Sequence, residues 1–371
     1  MIMICFAFHS QTLNQLMRDQ LKHIVRGRIS RAISLQPKGE MMKRNLFAST
    51  VFLLTLASLC ICPPRSNGSE AVFMNMVTGS VQGTYYQFGL DLEKLMERNG
   101  IDLAVHNSDG SVENIYAVFK RPNTQLGIVQ SDVLAFVAKV NTDPVLKEIA
   151  NKIKMVYPLY NEEVHLVGKS SLKRFDDLDG KKVAIGQEGS GSYLTAKLFF
   201  KVSGVNPAEM VEVSADEALP QLKAGLIDAM FYVAGYPVKL FRDQVEDSDN
   251  LVILRIDNEK ITEFYEKATI PKATYAWQDE DVSTVAIKSV LISYNFRMAN
   301  CDNVGHFAEA MVTNIDWLQQ NGHPKWKAVD LNYDLKGWEQ YDCVKKRTAR
   351  PQQKGRRQEI NPVLDAIKDI L

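Results

Sequence analysis

Val77-Thr78-Gly79-Ser80-Val81-Gln82-Gly83-Thr84-Tyr85-Tyr86 is the stretch whose reading decides the fold. Just before it, residues 71–77 form a short apolar run of the kind a buried strand requires. Just after it, Tyr85, Phe88, Leu92 and Leu95 recur at three- and four-residue intervals, the apolar face of a helix. Between the two lie Gly79 and Gly83 and the hydroxyls of Thr78, Ser80 and Thr84. A strand, a small-residue loop and a helix N-terminus together aim free backbone N–H groups, and the positive end of a helix dipole, at one point. That geometry suits a carboxylate or a phosphate. A tight turn into a capped helix would explain the loop equally well. Repetition is what gives it weight.

The unit recurs along the chain. Residues 101–106 read as a second strand, 107–111 as a loop, and Val112, Ile115, Tyr116 and Phe119 mark a helix with Ser111 as its expected N-cap. Residues 125–129 read as a third strand, followed by Gln130-Ser131-Asp132 and an apolar helix over 133–140. Such alternation predicts a parallel sheet flanked by helices, with ligands beyond the carboxyl ends of the strands. Residues 155–160 and 164–167 read as strands joined by a solvated loop, Asn161-Glu162-Glu163. The pattern then restarts: strand 182–186, loop Gln187-Glu188-Gly189-Ser190-Gly191-Ser192, helix 193–202, strand 211–214, helix 215–226, strand 229–233, a loop through Tyr236, and strand 251–256. Residues 284–293 are β-rich and read as a return crossing, after which 294–341 reads as helical and packs on the first half. Two crossings make a hinge, so the expectation is two α/β lobes with a cleft between facing loops. The predicted boundaries are 72–162 for the first part of lobe I, 163–285 for lobe II and 286–344 for the return to lobe I.

A chain of 371 residues fits about two domains. Its hydrophobic and charged contents, 46% and 24%, are those of an ordinary globular protein. The formal charge of zero hides an asymmetry, because residues 1–71 carry nine Lys/Arg against three Asp/Glu. Met41-Met42-Lys43-Arg44 precedes an apolar run over 45–59, and Ser69-Glu70-Ala71 offers a small-x-small cleavage site. Residues 41–71 thus read as a secretory signal peptide and 1–40 as an upstream leader or misplaced start, which implies a periplasmic location. The run is short for a membrane span. Of five cysteines, only Cys301 and Cys343 fall after this segment. In an oxidising compartment they can pair; two buried thiols are the alternative. Residues 345–371 form a basic tail ending in a short amphipathic helix over 362–371.

Several chemistries are disfavoured. No phosphate-loop Gly-x-x-x-x-Gly-Lys-Ser/Thr occurs, and Gly189-Ser190-Gly191-Ser192-Tyr193-Leu194 has Leu where a dinucleotide loop needs its third glycine. His106, His165, His306 and His323 lack metal-ligand spacing, so no metal or other cofactor is expected. No basic stripe interleaved with aromatics points to nucleic acid. No nucleophile elbow is present, and Ser131 beside Asp132 at a helix start reads first as a cap. Tyr85, Tyr86, Tyr193, Tyr232 and Tyr236 lie in or just after cleft loops, where an apolar ring with a polar tip can grip a small organic anion or simply pack the core.

At three places in order, Thr78-Gly79-Ser80-Val81-Gln82-Gly83-Thr84-Tyr85-Tyr86, Ser111-Val112-Glu113-Asn114-Ile115 and Gln130-Ser131-Asp132, the chain resembles the TAXI-type solute-binding proteins, the extracytoplasmic receptors of TRAP transporters. Gly189-Ser190-Gly191-Ser192 fits that pattern too, and the resemblance covers residues 72–343. The opening loop departs from the family's Gly-Gly-Thr-Gly-Gly, carrying Gly79-Ser80-Val81-Gln82-Gly83 instead. The resemblance implies a type II periplasmic binding protein fold, with capture of a small carboxylate such as glutamate or 2-oxoglutarate. It also implies delivery to a cation-coupled membrane partner by a monomeric, non-enzymatic receptor. Carried over by position, it implies first-lobe contacts from Thr78, Gly79, Ser80, Gly83, Thr84, Tyr85, Ser111, Asn114, Gln130, Ser131 and Asp132. Second-lobe contacts come from Ser190, Gly191 and Ser192, with Tyr232 and Tyr236 as walls. A sensory module for a chemoreceptor or kinase, and an exported enzyme on the same fold, are the alternatives.

Overall fold

The computed structural model describes residues 72–139, 148–149 and 152–348. The leader and signal peptide expected over 1–71 and the terminal helix over 362–371 lie outside the described residues.

Three parallel strands open the chain: β1 (Val72–Val77), flanked by β2 (Ile101–His106) on one side and β3 (Leu126–Gln130) on the other. Each is followed by a helix: α1 (Thr84–Glu97), α2 (Ser111–Lys120) and α3 (Ser131–Lys139). The helices form because their apolar residues fall on one stripe. In α1, Phe88, Leu92, Leu95 and Met96 are buried together. Each such side chain stabilises by roughly 1.5–3 kcal/mol on burial.

β4 (Ile153–Lys169) and β10 (Val282–Tyr294) are long antiparallel strands that carry the chain out of one half of the molecule and back. The upper part of β10 also pairs with β3, so the first half reads β2-β1-β3-β10-β4. From Glu163 onward β4 pairs with β7 (Ala229–Ala234), which borders β5 (Lys182–Ala184) and then β6 (Glu209–Val211). β8 (Leu251–Ile253) joins the end of β4, and β9 (Glu266–Ile270) joins the start of β10. The helices of this half are α4 (Gly191–Ser203), α5 (Ala215–Lys223), α6 (Lys239–Gln244) and α7 (Glu259–Thr262).

One core gathers Met74, Met76, Phe88, Leu92, Leu126 and Ile128 with Phe307, Met311 and Trp326 from the C-terminal region. The second half has a core on each sheet face, as strand alternation requires: Leu166 and Phe231 pack on one side, Val167 and Met230 on the other. This is the type II periplasmic binding protein fold, two α/β lobes joined by hinge strands.

Four local expectations need correction. Asn161-Glu162-Glu163 is no loop; β4 runs unbroken through it, and Glu162 and Glu163 are buried. Ser111 is the first residue of α2, with Gly110 (φ 116°) as the N-cap. The strand expected over 211–214 ends at Val211, because Ser214 caps α5 in a capping box with Glu217. Residues 294–341 hold only two α-helices, α8 (Ala299–Thr313) and α9 (Ile315–Asn321), and a 3-10 turn over Pro324–Ala328. α10 (Asp342–Thr348) follows, and its Cys343 is disulfide-bonded to Cys301 of α8, with Cα atoms 5.5 Å apart.

Candidate functional site

Four helices begin at one cavity. The carboxyl ends of β1, β2, β5 and β6 deliver the chain into α1, α2, α4 and α5, and residues from all four junctions line a space of about 80 Å³ between the lobes. α4 is capped by Ser190 Oγ, which accepts from the Tyr193 N–H at 3.1 Å, and α5 by Ser214. α1 and α2 have glycine caps, Gly83 and Gly110, and no side-chain cap. Apart from the Val112 N–H, which donates to the Gly189 carbonyl, their first-turn N–H groups are not taken by a side-chain cap.

Backbone bonds and buried amides hold the loops. Asn114 Nδ2 donates to the carbonyls of Thr78, at 2.5 Å, and Ile128, at 2.7 Å, tying the β1 and β3 exits to α2. Thr78 Oγ1 donates to the His106 carbonyl at 2.8 Å. Ser111 Oγ accepts from the Gln130 N–H at 3.0 Å, and Ser192 Oγ from the Val233 N–H at 3.0 Å.

The lobes touch around the cavity. Ser80 Oγ donates to Asp216 Oδ2 at 2.7 Å, Thr84 Oγ1 to the Gly235 carbonyl at 2.6 Å, and the Val112 N–H to the Gly189 carbonyl at 3.2 Å. A Cβ on Gly83 would fall 2.5 Å from Tyr232 Oη. Glycine is required there by proximity.

No lysine, arginine or histidine lines this cavity; Asp109, Glu162 and Asp216 do. Glu162 rises from β4 with 1% exposure and accepts a 2.6 Å hydrogen bond from Tyr85 Oη on Oε2. Burial holds its carboxyl well above the ordinary carboxylate range, and the Tyr85 bond opposes that shift without cancelling it. Glu163, the next residue, faces the other side of β4, where Lys325 Nζ donates to its Oε1 at 2.6 Å. Both members of this pair are buried, and burial raises the Glu163 carboxyl and lowers the Lys325 ammonium despite their mutual attraction. His165 lies deeper, between the Glu163 carbonyl at 3.0 Å and Tyr275 Oη at 2.9 Å; burial pushes it down to about 3.

Of the residues singled out from sequence, Gly79, Ser80, Gly83, Thr84, Tyr85, Ser111 and Gln130 line the cavity from lobe I, and Ser190, Gly191, Ser192 and Tyr232 from lobe II. Five do not. Thr78 and Asn114 stand behind the wall and brace it. Ser131 and Asp132 face a separate hollow that also includes Tyr265 and Lys288. Asp132 is buried, accepts from Thr195 Oγ1 at 2.7 Å across the lobe boundary, and is raised to about 6 by burial. Tyr236 points away and stacks its ring 3.9 Å from Lys325 Nζ. Sequence reasoning passed over Glu162, Asp216, Ser108 and Gln187, all of which line the cavity. For Ser108 and Gln187 the signal existed, since both lie in the loops already marked.

Among the described residues no cluster of His, Cys, Asp and Glu could hold a metal ion, and no helix is long and apolar enough to cross a membrane. Solved structures similar to this chain include a protein of Bordetella bronchiseptica RB50, 16% identical over 70% of this chain and 76% of that one, with a TM-score of 0.45. Another is ArtJ, the arginine-, lysine-, histidine-binding protein of Geobacillus stearothermophilus, at 15% identity, 66% and 91% coverage and a TM-score of 0.42. A third is an ABC uptake transporter substrate-binding protein from Streptococcus pneumoniae with bound histidine, at 14% identity, 68% and 92% coverage and a TM-score of 0.42. Residues 76–338 match the NMT1-like family as a whole. The chain belongs to the NMT1-like family, a family with the fold of the periplasmic solute-binding proteins.

Proposed function

We propose that this protein is an extracytoplasmic receptor that captures a small carboxylate in the interlobe cavity and presents it to a cation-coupled membrane partner of the TRAP type. The observation that carries the reading is the convergence of helix N-termini from both lobes on one enclosed space, two of them without a side-chain cap. Such N–H groups supply the positive field that a carboxylate needs where no cationic side chain is present. The first-turn amides of α1 and α2, with Ser80 and Ser111, would hold it from lobe I, and Ser190, Gly191 and Ser192 from lobe II.

A solute gripped from both sides stabilises the closed arrangement over the open one by its differential affinity. The movement has a place to occur, since β4 near Asn161–Glu163 and β10 near Ala286–Lys288 carry a hydrogen-bonded crossing between the lobes. Turnover is not part of this reading. Ser131 and Asp132, adjacent in sequence, do not meet the solute cavity.

The test is a thermal-shift screen of the purified protein against carboxylates, amino acids, sugars and nucleotides. A ligand that binds only the native state raises the melting temperature by mass action, by about 2.7 kcal/mol of stability at one hundred times Kd. A carboxylate-dependent shift that Ser111→Ala weakens supports the reading. A shift with sugars or nucleotides alone would overturn it.

A further inference from the structure

We propose that the solute carries a cationic nitrogen in addition to its carboxylate, and that Glu162, with Asp216 opposite, is the group that recognises it. The inference rests on the receptor reading above and narrows it from carboxylates in general to amino-carboxylates.

The argument begins with an unmatched acceptor. Glu162 is 1% exposed and lines the cavity, yet its one hydrogen bond among the described residues is the one Tyr85 donates to Oε2. Oε1 takes none. Glu162 lines the cavity, where a cationic donor would make a charge-assisted hydrogen bond to the free oxygen. Lys325, the cation whose charge acts on Glu162, is committed to Glu163 on the far side of β4 and is absent from the cavity lining. A cationic group that enters the cavity can therefore complete Glu162.

Asp216 reaches the cavity from lobe II as an exposed carboxylate. It sits in the first turn of α5 and accepts the Ser80 hydroxyl on Oδ2. The cavity thus has two kinds of wall. Amide N–H groups of α1, α2 and α4 form a region that attracts a carboxylate, and Glu162 and Asp216 form a region that attracts an ammonium. A dicarboxylate or oxo-acid answers the first and offers no counter-charge to the second. A zwitterion answers both.

Protons make the difference measurable. The titratable groups whose charge or hydrogen bonds act on Glu162 are Tyr85 on α1, Tyr160 and Glu163 on β4, Tyr232 on β7, Asp132 on α3 and Lys325 on the 3-10 turn. Burial favours the protonated form of Glu162 in the free protein. An arriving ammonium favours the ionised form, so binding releases a proton. An arriving second carboxylate favours the neutral form, so binding releases none.

The experiment is titration calorimetry at pH 7.5, in phosphate and again in Tris, with the matched pairs glutamate and 2-oxoglutarate, and alanine and pyruvate. The expected result is that the amino member of a pair binds at least tenfold more tightly than its oxo partner, with net proton release. Glu162→Gln should abolish the proton release and bring the preference below threefold, and Asp216→Asn should reduce the preference without abolishing proton release. Oxo-acids that bind as well as or better than their amino partners, or proton uptake with an amino member, would overturn the inference while leaving the receptor reading in place. Absence of binding by every carboxylate tested would overturn both.

Discussion

Gly191 shows how a residue marked by its loop position can carry a steric constraint that the sequence does not display. Its loop position marked it from sequence as a donor to the solute, yet its tightest constraint is steric. A Cβ there would collide with Gln130 Oε1 and come within 2.8 Å of Ser111 Oγ, both from the other lobe. Gly191→Ala should therefore hold the lobes apart. We expect solute affinity to fall at least tenfold while the far-ultraviolet circular dichroism of the free protein stays as in the wild type; unchanged affinity would mean the lobes close with slack. Asp132 teaches a similar lesson. A Ser-Asp pair at a helix start reads as a cap, and Asp132 Oδ1 does accept from the Val133 N–H at 2.8 Å, but Oδ2 reaches across to Thr195. Burial raises this carboxyl from 3.8 to about 6, so the folded state holds the proton more tightly than the unfolded chain. Its stabilising contribution is thus present at low pH and is lost as pH rises from about 4 to 6. His165, lowered from 6.5 to about 3, has the opposite sign across much of that window. The informative quantity is the difference between wild type and Asp132→Asn. Relative to the variant, the wild type should lose on the order of 2–3 kcal/mol between pH 4 and pH 6 in urea titrations. Parallel pH profiles would show that Asp132 does not titrate in that range.

Among the elements, β4 is where sequence and structure part most. Its first and last thirds are legible as apolar runs, but two consecutive glutamates and an asparagine in the middle resemble a solvated turn. Local composition cannot reveal that partners lie far along the chain. Tyr85 is 77 residues before Glu162, and Lys325 is 162 residues after Glu163. The hinge strand can remain a strand there because each buried carboxyl is met by a donor from lobe I. The same fact explains why Glu162 escaped notice as a cavity residue, whereas the loop residues of α1, α2 and α4 did not. Loops at strand ends announce themselves by glycine and hydroxyl content; a carboxyl buried in mid-strand does not. The Glu163–Lys325 pair provides the test. Removing only the cation leaves a buried carboxyl without its partner, and such a change costs about 3–5 kcal/mol. Lys325→Met should lower stability by roughly that amount in urea unfolding, and Glu163→Gln added to it should restore at least half. Equal stability of the single and double variants would show that the carboxyl does not depend on the lysine.

At the scale of the whole molecule, the strand–loop–helix alternation and the β-rich return crossing were both visible, because they depend on local periodicity. The strand order was not, since it depends on pairings such as Leu291 with Ile128 and Tyr157, which local pattern does not specify. Those pairings have an energetic consequence. β4 contributes Val156, Tyr157 and Leu159 to the first core and Val164, Leu166 and Val167 to the others, while β10 contributes Leu291 to the first core and Val285 and Ile287 to a second. Neither lobe can lose its share of these strands without exposing apolar surface of the other. The lobes should consequently unfold together, although a cleft separates them. The disulfide allows this to be checked from a distance. Cys301 and Cys343 close a loop of 42 residues at the outer side of the first core, and such a link stabilises by roughly 2–4 kcal/mol. Replacing both by serine perturbs lobe I alone in its contacts. Hydrogen exchange should nevertheless show the slowest amides of β7, in lobe II, losing protection by the same free energy as those of β1. If β1 alone loses protection, the shared strands do not couple the two cores, and the hinge is a boundary between independently stable lobes.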